Sequence, residues 1–263
     1  MAEVIIIDNG EATSSKKWRW LWVLFVIVLI ITVGIGGFVV WALNPTLEID
    51  QIAYDAIESS DNITVTDRAW LAFLPHTPPE TGLIIYPGAR VPPVAFAPLA
   101  RQVAENGYLV VIAYPPINLA LLNPTMATPI MEHFSGVEHW VVGGHSLGGS
   151  VAGSYSADHP ELVDGLVLLG AYPINDELLN TTIPIISIYG TDDGLVTPDE
   201  IEASRAELPT STIFVPIEGG NHSQFGYYGL QNGDNPAGIS REAQIEQSVN
   251  AILRLMSQVD SQN

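Results

Sequence analysis

The chain has 263 residues, 47% of them hydrophobic, which suits one large buried core with an appendage rather than several domains. It contains no cysteine, so disulfides, thiolate metal sites and a cysteine nucleophile are excluded. The formal charge is −20, and residues 44–263 carry all of the excess with six Arg, no Lys and 26 Asp or Glu, a surface that repels phosphate backbones and excludes nucleic acid as a partner.

In chain order, residues 1–20 read as a short tail and 21–43 as a membrane span. Leu21 to Leu43 is an uncharged run of 23 residues. At a rise of ~1.5 Å per residue it covers about 35 Å, enough for a hydrocarbon core of ~30 Å. Trp18, Trp20 and Trp22 mark one interface and Trp41 the other. Lys16, Lys17 and Arg19 precede the span, while Arg68 is the one basic residue in the forty that follow. The expectation is an uncleaved signal anchor with a cytoplasmic N-terminus and an extracytoplasmic domain.

Residues 44–60 read as a linker followed by a short strand or helix that leads into the domain, 61–258 as the folded domain and 259–263 as a C-terminal tail. Asn62–Thr66 and Ala69–Leu74 are β-rich runs forming an opening hairpin. Gly82–Tyr86 is a continuous apolar run of the kind buried in parallel sheets, and further strands are expected at Tyr108–Ala113, Val137–Gly143, Gly165–Leu169, Pro184–Tyr189 and Thr212–Pro216. Helices are expected between them, with one at Phe96–Asn106 and a closing amphipathic helix at Ser240–Met256. The alternation predicts an α/β fold with a mostly parallel central sheet and helices on both faces. Only a short connection, Ala171–Ile183, is left for a lid, so the lid should be minimal and the site open.

The sharpest motif is Gly144-His-Ser-Leu-Gly148, a G-x-S-x-G nucleophile elbow. An apolar strand run precedes it and a small-residue run, Ser150-Val-Ala-Gly-Ser-Tyr-Ser, follows as a helix packed closely on a sheet. Small neighbours let strand and helix approach, and the turn lifts the Ser146 Oγ out of the sheet. Two later segments supply partners. Tyr189-Gly-Thr-Asp-Asp-Gly194 carries an acid just past a strand, with Asp193 favoured by its spacing from Gly190 and Asp192 as competitor. Glu218-Gly-Gly-Asn-His222 carries a histidine, and of six histidines only His222 follows the acid. The expected set is Ser146 as nucleophile, His222 as base and Asp193 as the acid that orients it.

An oxyanion needs two donors. The backbone N–H of Leu147 is one, and the loop Pro87-Gly-Ala-Arg90 offers the other at Ala89. Arg90 has two roles open to it: binding a substrate carboxylate, or pairing with a neighbouring acid. No paired-His or His-Glu spacing suits zinc, and no metal or cofactor is expected.

With these residues placed, the chain resembles the alpha/beta hydrolase fold-5 group, small serine hydrolases related to dienelactone-hydrolase-like and other esterase-like proteins. Four blocks over roughly residues 50 to 256 carry the resemblance: Tyr86-Pro-Gly-Ala-Arg90, Gly143–Gly149, Tyr189–Pro198 and Glu218–Gly226. It implies the alpha/beta-hydrolase fold and acyl chemistry on a small-molecule acyl substrate. Dienelactone hydrolases typically use cysteine, and Ser146 departs from that, so their substrate does not transfer. The expected activity is serine hydrolysis of carboxylic esters or related acyl compounds. A non-catalytic surface binding domain on the same scaffold competes with it, as do acyl transfer, thioester cleavage and peptide cleavage by the same residues.

Overall fold

Residues 12–43 and 47–261 are described in the computed structural model, with side chains from Trp18 onward. The expected tails at 1–20 and 259–263 thus lie partly, and residues 44–46 of the expected linker wholly, outside the described residues. The chain divides into two compact units, Met1–Asn44 and Pro45–Asn263. In the first, helix α1 runs Ala12–Leu43. Its Trp18–Leu43 stretch contains an 18-residue window with a mean hydropathy of 3.0 and is long and apolar enough to cross a membrane, with its side chains almost all exposed.

The second unit is built on eight strands, β1 Ile63–Asp67, β2 Leu71–Pro75, β3 Thr81–Tyr86, β4 Leu109–Ile112, β5 His139–His145, β6 Gly165–Leu169, β7 Ile185–Gly190 and β8 Ile213–Ile217. They form one sheet in the order β1-β2-β4-β3-β5-β6-β7-β8. The β1–β2 hairpin is antiparallel and β2 joins β4 antiparallel; all other pairings are parallel. The central strands β3 to β7 are mostly apolar and almost wholly buried because both faces are covered. Leu83, Ile85, Val141 and Val167 face a layer that includes α3 (Ala97–Ala104) and α7 (Arg241–Ser261). Ile84, Tyr86, Val142 and Leu166 face a layer that includes α4 (Ala127–His133) and α5 (Leu147–Asp158). This is the alternation of a strand whose neighbouring side chains point to opposite faces.

Two details, after β6 and at the C-terminus, differ from the sequence expectations. The lead-in takes the helical one of its two expected forms: α2 spans Gln51–Asp55, capped by the Asp50 side chain on the Ile52 N–H, and Ala53 is fully buried. Arg101 Nε donates to the Ala56 carbonyl at 2.8 Å and ties this segment to α3. Between β6 and β7 there is no α-helix, only a 3-10 turn at Asp176–Leu178, because the connection is too short and carries a proline and paired threonines. The closing helix runs to Ser261, five residues past Met256, since Val259 continues its apolar stripe and is buried.

Parallel strands leave all their carboxyl ends on one edge, the edge where α/β sheets hold their sites. Residues 47–50 reach this edge. Ile49 bridges Tyr228 antiparallel, the Asp50 N–H donates to the Tyr227 carbonyl, and the Gly229 N–H donates to the Glu48 carbonyl.

Candidate active site

β5 ends at His145 and α5 begins at Leu147, so Ser146 alone makes the turn. Its backbone sits at φ 52°, ψ −130°, a region that costs an L-residue about 1–3 kcal/mol and persists only where its surroundings impose it. Here they do. The Ser146 N–H donates to the Leu169 carbonyl at 3.0 Å, and the Ser146 carbonyl accepts from Gly149 and Ser150. The flanking glycines are required by contact: a Cβ on Gly148 would overlap the carbonyl oxygens of Tyr86 and Pro87, and one on Gly144 would overlap the Gly148 backbone. The strand-turn-helix thus packs directly on the end of β3. Ser146 is half-buried.

The loop after β3 is a tight turn closed by the Val91 N–H on the Gly88 carbonyl at 3.1 Å, with Arg90 in the left-handed region at φ 61°. Its Arg90 N–H is committed to the Asn118 carbonyl at 2.8 Å. Among the described residues, the Ala89 and Leu147 N–H groups have no partner in the domain's hydrogen-bond network. Tyr86 anchors the start of this loop: its hydroxyl donates to the Pro124 carbonyl and accepts from the Ala127 N–H. Burial raises its pKa well above the usual tyrosine range, so it stays a neutral strut.

The two acid candidates separate cleanly. Asp193 is 2% exposed and its Oδ2 accepts from His222 Nδ1 at 2.8 Å. Its Oδ1 accepts from the Leu195 and Val196 N–H groups at 2.9 and 2.7 Å, which fixes the carboxylate plane. Asp192 is half-buried, and its N–H donates to the Gly220 carbonyl. The turn then ends in α6 (Pro198–Ser204), capped by a reciprocal Thr197–Glu200 pair.

His222 is 1% exposed and stands just before a 3-10 turn at Ser223–Phe225. His145, the residue before Ser146, touches it: the ring centroids are 4.4 Å apart, and His145 Nε2 lies 3.1 Å from the His222 carbonyl. A carbonyl only accepts, so Nε2 carries the proton and Nδ1, buried without a partner, is bare. Burial, and then the charge His222 would carry, push the His145 pKa well below its ordinary value. Gly170, just past β6, closes the group at φ 49°; a Cβ there would lie 3.2 Å from both Asp193 Oδ2 and His222 Nδ1. Ser146, Asp193 and His222 thus follow the carboxyl ends of β5, β7 and β8, and of the three Asp193 and His222 are joined by a hydrogen bond.

Sequence reasoning missed the polar groups that hold these loops. Gln244 on α7 is fully buried and grips Asn221, accepting from its N–H at 2.9 Å and donating to its carbonyl at 2.7 Å. A glutamine on the apolar face of an amphipathic helix was the available signal. Asn221 itself is 1% exposed, and its Nδ2 donates to the Asn235 carbonyl. The other histidines lie elsewhere: His76 by Thr64, His133 on Trp70, His139 by Asp164 and His159 by Glu161. No cluster of three or more metal-ligating side chains occurs among the described residues.

A strained serine between a parallel strand and a helix, with a buried His–Asp pair on neighbouring strand ends, defines the alpha/beta-hydrolase class. The chain belongs to the alpha/beta hydrolase family, whose model matches residues 82–246. No curated protein matches it in sequence. Among solved structures it is similar to Est1E from Butyrivibrio proteoclasticus, at 14% identity and a TM-score of 0.55 over 75% of this chain and all of that one. It is also similar to the esterase domain of a Rhodothermus marinus protein, at 14% identity and 0.54 over 71% and 91% of the two chains. A third, MGS-MChE2, an alpha/beta hydrolase enzyme from the metagenome of lagoon sediments of Mar Chica, Morocco, shows 19% identity and 0.51 over 63% and 91%. At these identities the likeness speaks to the fold.

Proposed function

We propose that this chain is a membrane-anchored serine hydrolase that cleaves carboxylic esters or related acyl compounds through an acyl-enzyme. The observation that carries this is the strained Ser146 turn set beside the buried His222–Asp193 pair. Neutral His222 takes the Ser146 proton as Oγ attacks the acyl carbon, and Asp193 holds the ring with Nδ1 protonated and stabilises the imidazolium. The Leu147 and Ala89 N–H groups donate to the developing oxyanion, Leu147 with the added field of the α5 N-terminus. The imidazolium then protonates the leaving group, and water activated by His222 releases the acyl group. Two esterases among the similar structures support an ester as the acyl compound.

Residues 21–43 serve as the anchor in this reading, with the N-terminus cytoplasmic and the domain outside. The basic cluster Lys16, Lys17 and Arg19 ahead of the span supports that orientation. The test is hydrolysis of p-nitrophenyl esters by purified full-length protein. Wild type should turn them over, and Ser146→Ala should lose at least about 10⁴-fold in kcat. Equal rates in the two proteins would refute the assignment.

A further inference from the structure

Asp234 lies in the loop from β8 to α7, twelve residues past His222, and is 9% exposed. Its carboxylate takes five donors. Oδ1 accepts from the N–H groups of Gly194 at 3.0 Å, Asn235 at 2.9 Å and, more weakly, His222 at 3.4 Å. Oδ2 accepts from the Ser223 N–H at 2.8 Å and the Ser223 Oγ at 2.6 Å. An ionised carboxylate has about four lone-pair positions, so both oxygens are saturated.

The donors come from both halves of the acid–base pair. Gly194 directly follows Asp193, and His222 and Ser223 are the base and its neighbour. We infer that Asp234 is a positioning residue that straps the acid turn to the base loop and so sets the distance and plane of the His222–Asp193 hydrogen bond. This deepens the proposed hydrolase reading and rests on it for its catalytic meaning. Asp193 has no spare oxygen for the task, because Oδ1 serves its own turn and Oδ2 serves His222. Ser223 completes the strap: while its Oγ donates to Asp234, it accepts from the Gln231 N–H at 2.9 Å, so the loop between them is drawn in as one piece. A carboxylate is the group for this position because every donor here is an N–H or O–H. An amide would turn one NH₂ against at least two of them.

The experiment is Asp234→Asn in the full chain in detergent, read three ways. In wild type the His222 Nδ1 proton should give a far-downfield proton resonance, assigned by its loss in His222→Gln. In Asp234→Asn that resonance should move upfield or broaden away. The rate of inactivation by a fluorophosphonate should fall about 10- to 100-fold, while KM for a p-nitrophenyl ester stays within about twofold. An unchanged resonance and inactivation rate in a folded Asp234→Asn would overturn the inference. If that variant does not fold, Ser223→Ala decides, since it removes only the hydroxyl contacts. An upfield shift with an inactivation rate about two- to fivefold lower supports the strap, and no change in either overturns it. Should wild type show the resonance, Asp234→Asn lose it, and neither protein react with fluorophosphonate, the strap stands and the hydrolase reading falls.

Discussion

At the elbow, Ser146 is held by main chain alone: a strand end, a helix start, two glycines that admit the Tyr86 and Pro87 carbonyls, and one N–H bond to Leu169. Around the base the holding groups are side chains: Asp193 binds the backbone of its own turn, Asp234 that of both the acid turn and the base loop, Asn221 that of Asn235, and Gln244 on α7 that of Asn221. The first arrangement follows from secondary structure and contact distance. The second is a buried polar network, stable only while every member is paired. Variants at the two regions should therefore fail differently, the elbow by steric strain and the base loop by lost orientation.

The largest effect expected is at the acid. Asp193→Asn keeps the shape but offers His222 the wrong partner, and kcat should fall about 10⁴-fold in ester hydrolysis. Asp192→Asn, whose side chain makes no bond to His222, should remain within about threefold of wild type. Comparable losses at both positions would contradict the pairing seen at 2.8 Å.

At the elbow the sharper test is stability. Gly148→Ala puts a methyl group into two backbone carbonyls that cannot rotate away, and denaturant unfolding should show a loss of about 3 kcal/mol. A variant as stable as wild type would mean that β3 and the elbow are less closely packed than described.

His145 joins the two regions, and its burial gives a pH signature. Its pKa is depressed in the fold from an ordinary value of 6.5. Above that pH neither folded nor unfolded chain protonates this ring, and it contributes nothing to the pH dependence. Below it the unfolded chain binds a proton that the native state refuses, so stability falls with pH by about 1.4 kcal/mol per unit until the native ring titrates. His145→Gln keeps a donor for the His222 carbonyl and removes the titration. Denaturant unfolding at about pH 7 and pH 5.5 should show a shallower loss in this variant than in wild type; parallel losses would place the ring's proton elsewhere.

The smallest effect is expected at Arg90. If it binds a substrate carboxylate, Arg90→Ala should slow hydrolysis of anionic esters about tenfold relative to neutral ones. An unchanged ratio assigns it to an ion pair instead.

What could be read beforehand divides along the same line. Strands β3 to β8 were legible as apolar or β-rich runs, which two covered faces demand of β3 to β7, and their observed ends fall within about two residues of the expected ones. The elbow was legible because its geometry requires small residues at fixed spacing. The acid was legible as a pair with Asp193 favoured by its spacing from Gly190, since Asp192 and Asp193 share one turn and the turn's path decides which carboxylate points inward. Asp234 was not legible at all: in Gly-Asp-Asn-Pro an aspartate reads as a solvated loop residue. Its partners outside its own turn are 11, 12 and 40 residues away, with no period to connect them.

Ser146 as the proposed nucleophile, activated by His222, is tested by treating the full-length protein with a fluorophosphonate and mapping the adduct by peptide mass spectrometry. One phosphonyl group per chain is expected, on Ser146, with its formation slowed at least about 10³-fold in His222→Gln. An adduct on another residue, or none on folded protein, would contradict it.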